Sequence, residues 1–154
     1  MSTLRLHADG ASRGNPGPAA AAFVLLDGER EVGHGSRYLG RRTNNEAEYE
    51  ALIDGLEAAR EHRPEWLEVL LDSELLVMQL SGRYRVRNAR LKPLWERARA
   101  LLTSLPQVAV RHVPRDFNRR ADALANAVLD ARTPKATCSD ARKGTPASGG
   151  PDAS

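Results

Sequence analysis

Apolar and polar positions alternate from Leu4 to Asp9, with Leu6 and Ala8 on one side and Arg5 and His7 on the other, which predicts a strand. A second apolar run, Ala20–Leu26, leads into the turn signal Asp27-Gly28, and Val32–Leu39 reads as a third strand. Connections this short favour an antiparallel meander. At Thr43 the pattern changes. Thr43 and Glu46 have the spacing of a capping box, in which the glutamate reaches back to the amide of the capping residue. A helix follows to about Glu61 and is closed by Pro64. Leu67–Leu71 is a short unbroken apolar run, as expected of a buried parallel strand, and it stops at Asp72. Helices over Glu74–Leu80 and Leu91–Leu102, a strand over Val108–Val113 and a last helix over Phe117–Ala131 complete the pattern. The order predicts an α/β fold, with one mixed sheet and helices on both of its faces.

After Arg132 this patterning stops. Residues 133–154 carry no large apolar side chain and are rich in Pro, Gly, Ser and Ala. Such a segment cannot bury enough surface to offset its ordering entropy, so residues 1–132 are expected to form the domain and 133–154 a disordered tail. The 154 residues suffice for one domain with a real core, and 41% hydrophobic and 28% charged residues are ordinary for a soluble globular chain. No apolar run approaches the ~20 residues of a membrane span, and no signal-peptide pattern is visible, so a cytoplasmic protein is expected. Cys138 is the single cysteine and has no partner for an internal disulfide. The net charge of +3 comes mostly from arginine and permits a polyanionic partner.

The candidate chemistry is acidic. Asp9 ends the first strand, Asp72 ends the fourth, Glu48 lies near the start of the first helix, and Asp122 lies in the first half of the last. Glu46 and Glu50 compete with Glu48, and helix geometry separates them. Glu48 shares the apolar, sheet-facing stripe with Leu52, Gly55, Leu56 and Ala59, whereas Glu46 and Glu50 fall on the other side with Asp54 and Glu57. A carboxylate at the head of a buried face is paired, protonated or bound to metal. Each acid alone has an ordinary explanation: Glu48 pairs with an arginine at the core edge, Asp72 or Ser73 caps the next helix, and Asp122 is solvated. The glycine-rich turn after Asp9 has the look of a phosphate loop, but no helix follows it to aim its amides, and Asp9 has the wrong charge. Carboxylates brought together would repel one another, and a hard divalent cation such as Mg²⁺ resolves that repulsion.

Five segments carry a resemblance: "DGASRGNPGPA" at Asp9, "TNNEAEYEAL" at Thr43, "LLDSELLVMQLSG" at Leu70, "RVRNARL" at Arg85 and "VPRDFNRRADALAN" at Val113. Together, in this order and spacing, they resemble type 1 ribonuclease H over Leu4 to Ala131. The resemblance implies the ribonuclease H-like fold, with a five-stranded mixed sheet in which strands 1–3 are antiparallel and the others are added in parallel. It also implies an endonuclease that hydrolyses the RNA strand of RNA/DNA hybrids by two-metal-ion catalysis, leaving 3′-hydroxyl and 5′-phosphate ends; a monomer is expected. The four carboxylates it points to are Asp9, Glu48, Asp72 and Asp122. They would hold two Mg²⁺ ions, with Mn²⁺ as a substitute, Asp9 and Asp122 being the expected shared or direct ligands. By the same resemblance Asn15, Asn44 and Asn45 contact the minor groove and its 2′-hydroxyls, and Thr43 and Asn88 grip a phosphate of the DNA strand.

Two departures stand out. Many family members have a histidine in the loop before the last helix; here that loop is "PRDFN", and Arg115 is the nearest substitute. His112 reads as structural, and His7, His34 and His62 match no catalytic position. The long basic protrusion of some relatives is missing, which places the chain in a compact branch where Arg83, Arg85, Arg87 and Arg90 supply part of the grip. Hybrid affinity should then be modest and steeply salt-dependent. Two other readings use the same fold: a catalytically silent hybrid- or RNA-binding module, and a DNA nuclease of the integrase or resolvase kind. The four acids argue against the first, and Asn15, Asn44 and Asn45 against the second.

Overall fold

The computed structural model describes residues 2–132; the expected disordered tail and Cys138 lie outside the described residues. Five strands form one sheet in the order β3-β2-β1-β4-β5. They are β1 (Thr3–Ser12), β2 (Gly17–Asp27), β3 (Arg30–Arg42), β4 (Trp66–Leu71) and β5 (Val108–His112). The first three form the antiparallel meander, and β4 and β5 add to β1 in parallel. The helices are α1 (Asn44–Glu61), α2 (Glu74–Leu80), α3 (Leu91–Thr103) and α4 (Arg119–Arg132).

Strand periodicity distributes the core. Leu4, Leu6 and Ala8 of β1, with Ala19, Ala21 and Leu25 of β2, pack under Leu52, Leu56 and Ala59 of α1 and under Leu101 of α3. The alternate residues Ala20 and Ala22 face the other way and meet Ala125 and Leu129 of α4. The alanine run of β2 lets both helical layers approach closely. All four alanines are at most 1% exposed. A buried polar link ties the helices of the larger layer together. Tyr49 Oη donates to Gln79 Oε1 (2.7 Å) and Trp95 Nε1 donates to the Gln79 carbonyl (3.0 Å).

The expected elements are all present, with three informative differences. β1 extends to Ser12, so Asp9 lies inside the strand rather than at its end. Its pairing with β2 continues from Asp9↔Ala22 to Ser12↔Ala19, while pairing with β4 ends at His7↔Leu70. Asp9 therefore sits where β1 has lost its parallel neighbour. The last helix does not run unbroken from Phe117: a 3₁₀ turn, Arg115–Asn118, precedes α4. Glu46, expected on the outer side of α1, is buried at 9% exposure. The capping box folds its carboxylate back onto the Thr43 amide (2.8 Å), so it does not project along the outer face.

Candidate active site

Four elements converge on one recess. β1 supplies Asp9 from within the strand, Asp72 directly follows β4, Glu48 lies in α1 and Asp122 in the first turn of α4. Ser73, not Asp72, caps α2, accepting from the Leu76 amide (3.3 Å), so the Asp72 carboxylate is free of that duty. Asp9, Glu48 and Asp72 each offer an oxygen within 4.8 Å of the others. Asp122 approaches from the α4 side, near enough to add to the upward push on Asp9. Asp9, Glu48 and Asp122 line a recess of about 400 Å³, with Asn44, Arg115 and Asn126 at its wall.

Close packing of α1 on β1 produces this convergence. Gly10 faces the α1 backbone, and a Cβ there would overlap the Ala47 carbonyl and the Glu48 amide. The Gly10 N–H donates to Glu48 Oε1 (3.2 Å), fixing that carboxylate beside Asp9. Gly10→Ala is expected to push α1 outward. Overpacking costs about 1–3 kcal/mol, and an ångström of misplacement costs roughly 10²-fold in rate. A folded but destabilised variant with little activity is the outcome that melting and turnover measurements should show.

Burial and mutual repulsion shape the protonation of the cluster. Asp9 is pushed up to about 9, first by burial and then by Glu48 and Asp72. Glu48 is pushed up to about 8, first by burial and then by Asp72, against the opposing pull of the Gly10 amide. Burial also raises Asp72, with Arg115 working in the other direction. The Arg115 Nε lies 3.9 Å from Asp72 Oδ2, but its side chain is 82% exposed while that of Asp72 is 4% exposed. Asp72 Oδ2 is a buried oxygen with no hydrogen-bond partner among the described residues. An orphaned buried oxygen and two more carboxylates within reach, offset by only one exposed arginine, make a donor set suited to a hard divalent cation.

The other expected contacts fall around the rim, and several already have structural duties. The Asn15 Oδ1 accepts from the Asn44 amide (3.0 Å), joining the β1–β2 loop to the start of α1. Thr43 caps α1, and Asn88 Oδ1 accepts from the Arg90 and Leu91 amides (2.7 and 3.3 Å) at the start of α3. The side chains of Asn44 and Asn45 make no hydrogen bond among the described residues. Two neighbours of the site carry no role in the sequence expectations. His7 is buried, not merely unassigned: its Nδ1 meets Asn118 Oδ1 (2.8 Å), and Asn118 Nδ2 donates to the Ala8 carbonyl (3.1 Å), pinning the 3₁₀ turn to β1. Asn126 Nδ2 donates to Asp122 Oδ1 (3.2 Å). Its place four residues after Asp122, on the same helix face, is the signal that could have found it.

The chain matches known proteins along most of the described residues. The family model described as reverse transcriptase-like matches residues 7–128. Ribonuclease HI of Halobacterium salinarum is 49% identical over 82% of this chain and 65% of its own length. The crystal structure of RNase H1 from that archaeon superposes with a TM-score of 0.80 at 46% identity, covering 84% of this chain and 98% of the other. LC11-RNase H1, solved in complex with an RNA/DNA hybrid, gives a TM-score of 0.78 at 36% identity over 83% and 97% of the two chains. The chain spans a little under two thirds of the curated Halobacterium protein and 35% of curated mycobacterial relatives.

Proposed function

The chain belongs to the type 1 ribonuclease H family, and on that premise we propose that it is a metal-dependent endonuclease hydrolysing the RNA strand of RNA/DNA hybrids. The observation that carries this is the buried cluster of Asp9, Glu48 and Asp72 with its orphaned Asp72 oxygen and Asp122 alongside. A binding module gains nothing from burying carboxylates where an anionic backbone must approach. Asp9, Glu48, Asp72 and Asp122 would hold two Mg²⁺ ions, Mn²⁺ being an alternative. Bound there, the ions supply an activated water and stabilisation of the departing 3′-oxygen, consistent with 3′-hydroxyl and 5′-phosphate ends.

The chain's own residues supply selection and placement. Asn44 and Asn45 have free amides that both donate and accept, as contact with a 2′-hydroxyl requires. Asn15 keeps only its amino end for substrate, since its oxygen is engaged by the Asn44 amide. Thr43 and Asn88 sit at helix starts, whose positive dipole ends favour a phosphate of the DNA strand. Arg83, Arg85, Arg87 and Arg90 are exposed and free of ion pairs among the described residues, so they can meet the hybrid backbone. We take the protein to act as a monomer.

Arg115 is placed to balance the charge of Asp72 as the product leaves. Arg115→Ala is expected to lower turnover about tenfold, equivalent to ~1.4 kcal/mol, while hybrid affinity changes little; steady-state kinetics beside a binding isotherm measures both. The proposal itself is tested with an end-labelled hybrid in Mg²⁺ and with the matching DNA duplex and single-stranded RNA. Cleavage confined to the RNA of the hybrid supports it. Tight, metal-indifferent hybrid binding without turnover would leave a binding module, and cleavage of duplex DNA a different nuclease.

A further inference from the structure

A polar chain links the loop after β1 to the carboxylate on α4. The Arg13 guanidinium donates to Asp130 Oδ1 (2.7 Å), to Asn126 Oδ1 (3.2 Å) and to the Asn126 carbonyl (3.5 Å). Asn126 Nδ2 donates to Asp122 Oδ1 (3.2 Å) and to the Asp122 carbonyl (3.0 Å). The direction of this chain is set by chemistry. Arginine can only donate, so it selects the oxygen end of the Asn126 amide and leaves the amino end for Asp122. A flipped amide would set its amino group against the Arg13 donor and its oxygen against two Asp122 acceptors.

The loop that carries Arg13 is itself braced. The Arg13 amide donates to the Pro18 carbonyl (2.8 Å), and Ser12 Oγ donates to the Arg42 carbonyl (2.8 Å). Gly17 packs so closely on the Arg13 carbonyl that no Cβ would fit. Two residues beyond Arg13, Asn15 binds the first amide of α1. One short rigid loop therefore grips α4 through Arg13 and α1 through Asn15, the two helices that carry Asp122 and Glu48.

We propose that Arg13 and Asn126 are positioning residues for the metal centre. The Asn126 amide occupies Asp122 Oδ1 and leaves Oδ2 for a divalent cation, so that Asp122 ligates through one oxygen. Arg13 holds that amide in its working orientation, and the loop sets the spacing between α1 and α4. This rests on the reading of Asp122 as a metal ligand. Asp9, Glu48 and Asp72 already converge without it. Asp122 comes instead from a helix on the opposite face of the sheet, so its placement depends most on such a brace.

The alternative is that Arg13 and Asp130 form only a weak surface ion pair, with Asn126 a bystander. Calorimetric Mn²⁺ binding to the substrate-free chain and the Mg²⁺ midpoint of hybrid cleavage distinguish the two. Asn126→Ala places a better helix former in α4, so folding is not at risk. It is expected to weaken Mn²⁺ binding and raise the Mg²⁺ midpoint by about tenfold, the low end for outer partners of metal ligands, with the KM for hybrid unchanged. Arg13→Ala should show a smaller shift in the same direction. The double variant should be no worse than Asn126→Ala alone, because both act through one amide. Asp130→Asn, which removes the ion pair but spares the amide, should leave both readings at wild-type values. Wild-type Mn²⁺ affinity in Asn126→Ala, or equal shifts from Arg13→Ala and Asp130→Asn, would overturn the inference while leaving the nuclease reading intact. A wild-type chain that neither binds Mn²⁺ nor cleaves hybrid would overturn that reading and this inference with it.

Discussion

Asp9→Asn is expected to abolish hybrid cleavage and, in the same molecule, to raise the melting temperature of the metal-free protein at pH 8. The two effects share one cause. Asp9 is 4% exposed in the middle strand of the sheet, with Glu48 and Asp72 within reach of its carboxylate. Burial and these neighbours push it up to about 9, so ionising it is strongly opposed. Asparagine keeps the shape and needs no proton: at pH 8 the unfolded chain has released the proton that folded Asp9 must hold, and the variant is spared that cost. The same substitution removes an anionic ligand from the centre of the site, which should lower the rate on the order of 10³-fold or more. Turnover of labelled hybrid and thermal melts in EDTA measure the two halves. A variant that keeps its activity, or that melts lower than wild type in EDTA, would contradict the assignment. Asn15→Ala should fail differently, weakening hybrid binding more than chemistry.

The second large effect is a stability that depends on pH and metal together. Asp9 and Glu48 start from ordinary values of 3.8 and 4.5 and are raised to about 9 and about 8 in the fold. Between these limits the folded protein holds protons that the unfolded chain has released. Stability then falls as pH rises through that window, the reverse of the usual trend for a salt-bridged carboxylate. Without divalent cations the protein should melt higher at pH 5 than at pH 9. Mg²⁺ should oppose this, since it binds the ionised cluster. At a hundredfold excess over its Kd a ligand adds about 2.7 kcal/mol, worth roughly 10 °C in a domain of this size. The Mg²⁺-induced rise should be larger at pH 9 than at pH 5, and Asp9→Asn should flatten both dependences. A metal-free melting temperature that climbs from pH 5 to pH 9 would show that the carboxylates are not crowded as described.

Strand and helix periods made most of the frame legible. The alternation of Leu4, Leu6 and Ala8 marked the inner face of β1, and helix geometry put Glu48 on the stripe with Leu52, Leu56 and Ala59, all three of which are fully buried. The capping box read at Thr43 and Glu46 is present as well, and it holds the Glu46 carboxylate against the Thr43 amide instead of letting it run along the outer helix face. The setting of Asp9 within β1 depends on where β4 stops pairing, a register that no local pattern encodes. The five sequence segments pointed to the family and to four acids, but their convergence depends on the close approach at Gly10, visible only when α1 lies against β1. The buried His7–Asn118 bond and the Arg13–Asn126–Asp122 chain were missed for a related reason. Each joins residues far apart in the sequence, and a lone histidine or arginine gives no sign of a distant partner.

Four carboxylates brought in by four parts of the chain are proposed to form one metal-dependent site acting on the RNA strand of a hybrid. Single-turnover cleavage of an RNA/DNA hybrid by the wild-type chain and by Asp72→Asn, at saturating hybrid and across a Mg²⁺ titration, tests it most directly. Asp72 holds the orphaned buried oxygen, so its neutral counterpart should bind hybrid as tightly as wild type yet show a rate lower by about 10³-fold at every Mg²⁺ concentration. Undiminished cleavage by Asp72→Asn, or wild-type cleavage that persists in EDTA, would contradict it.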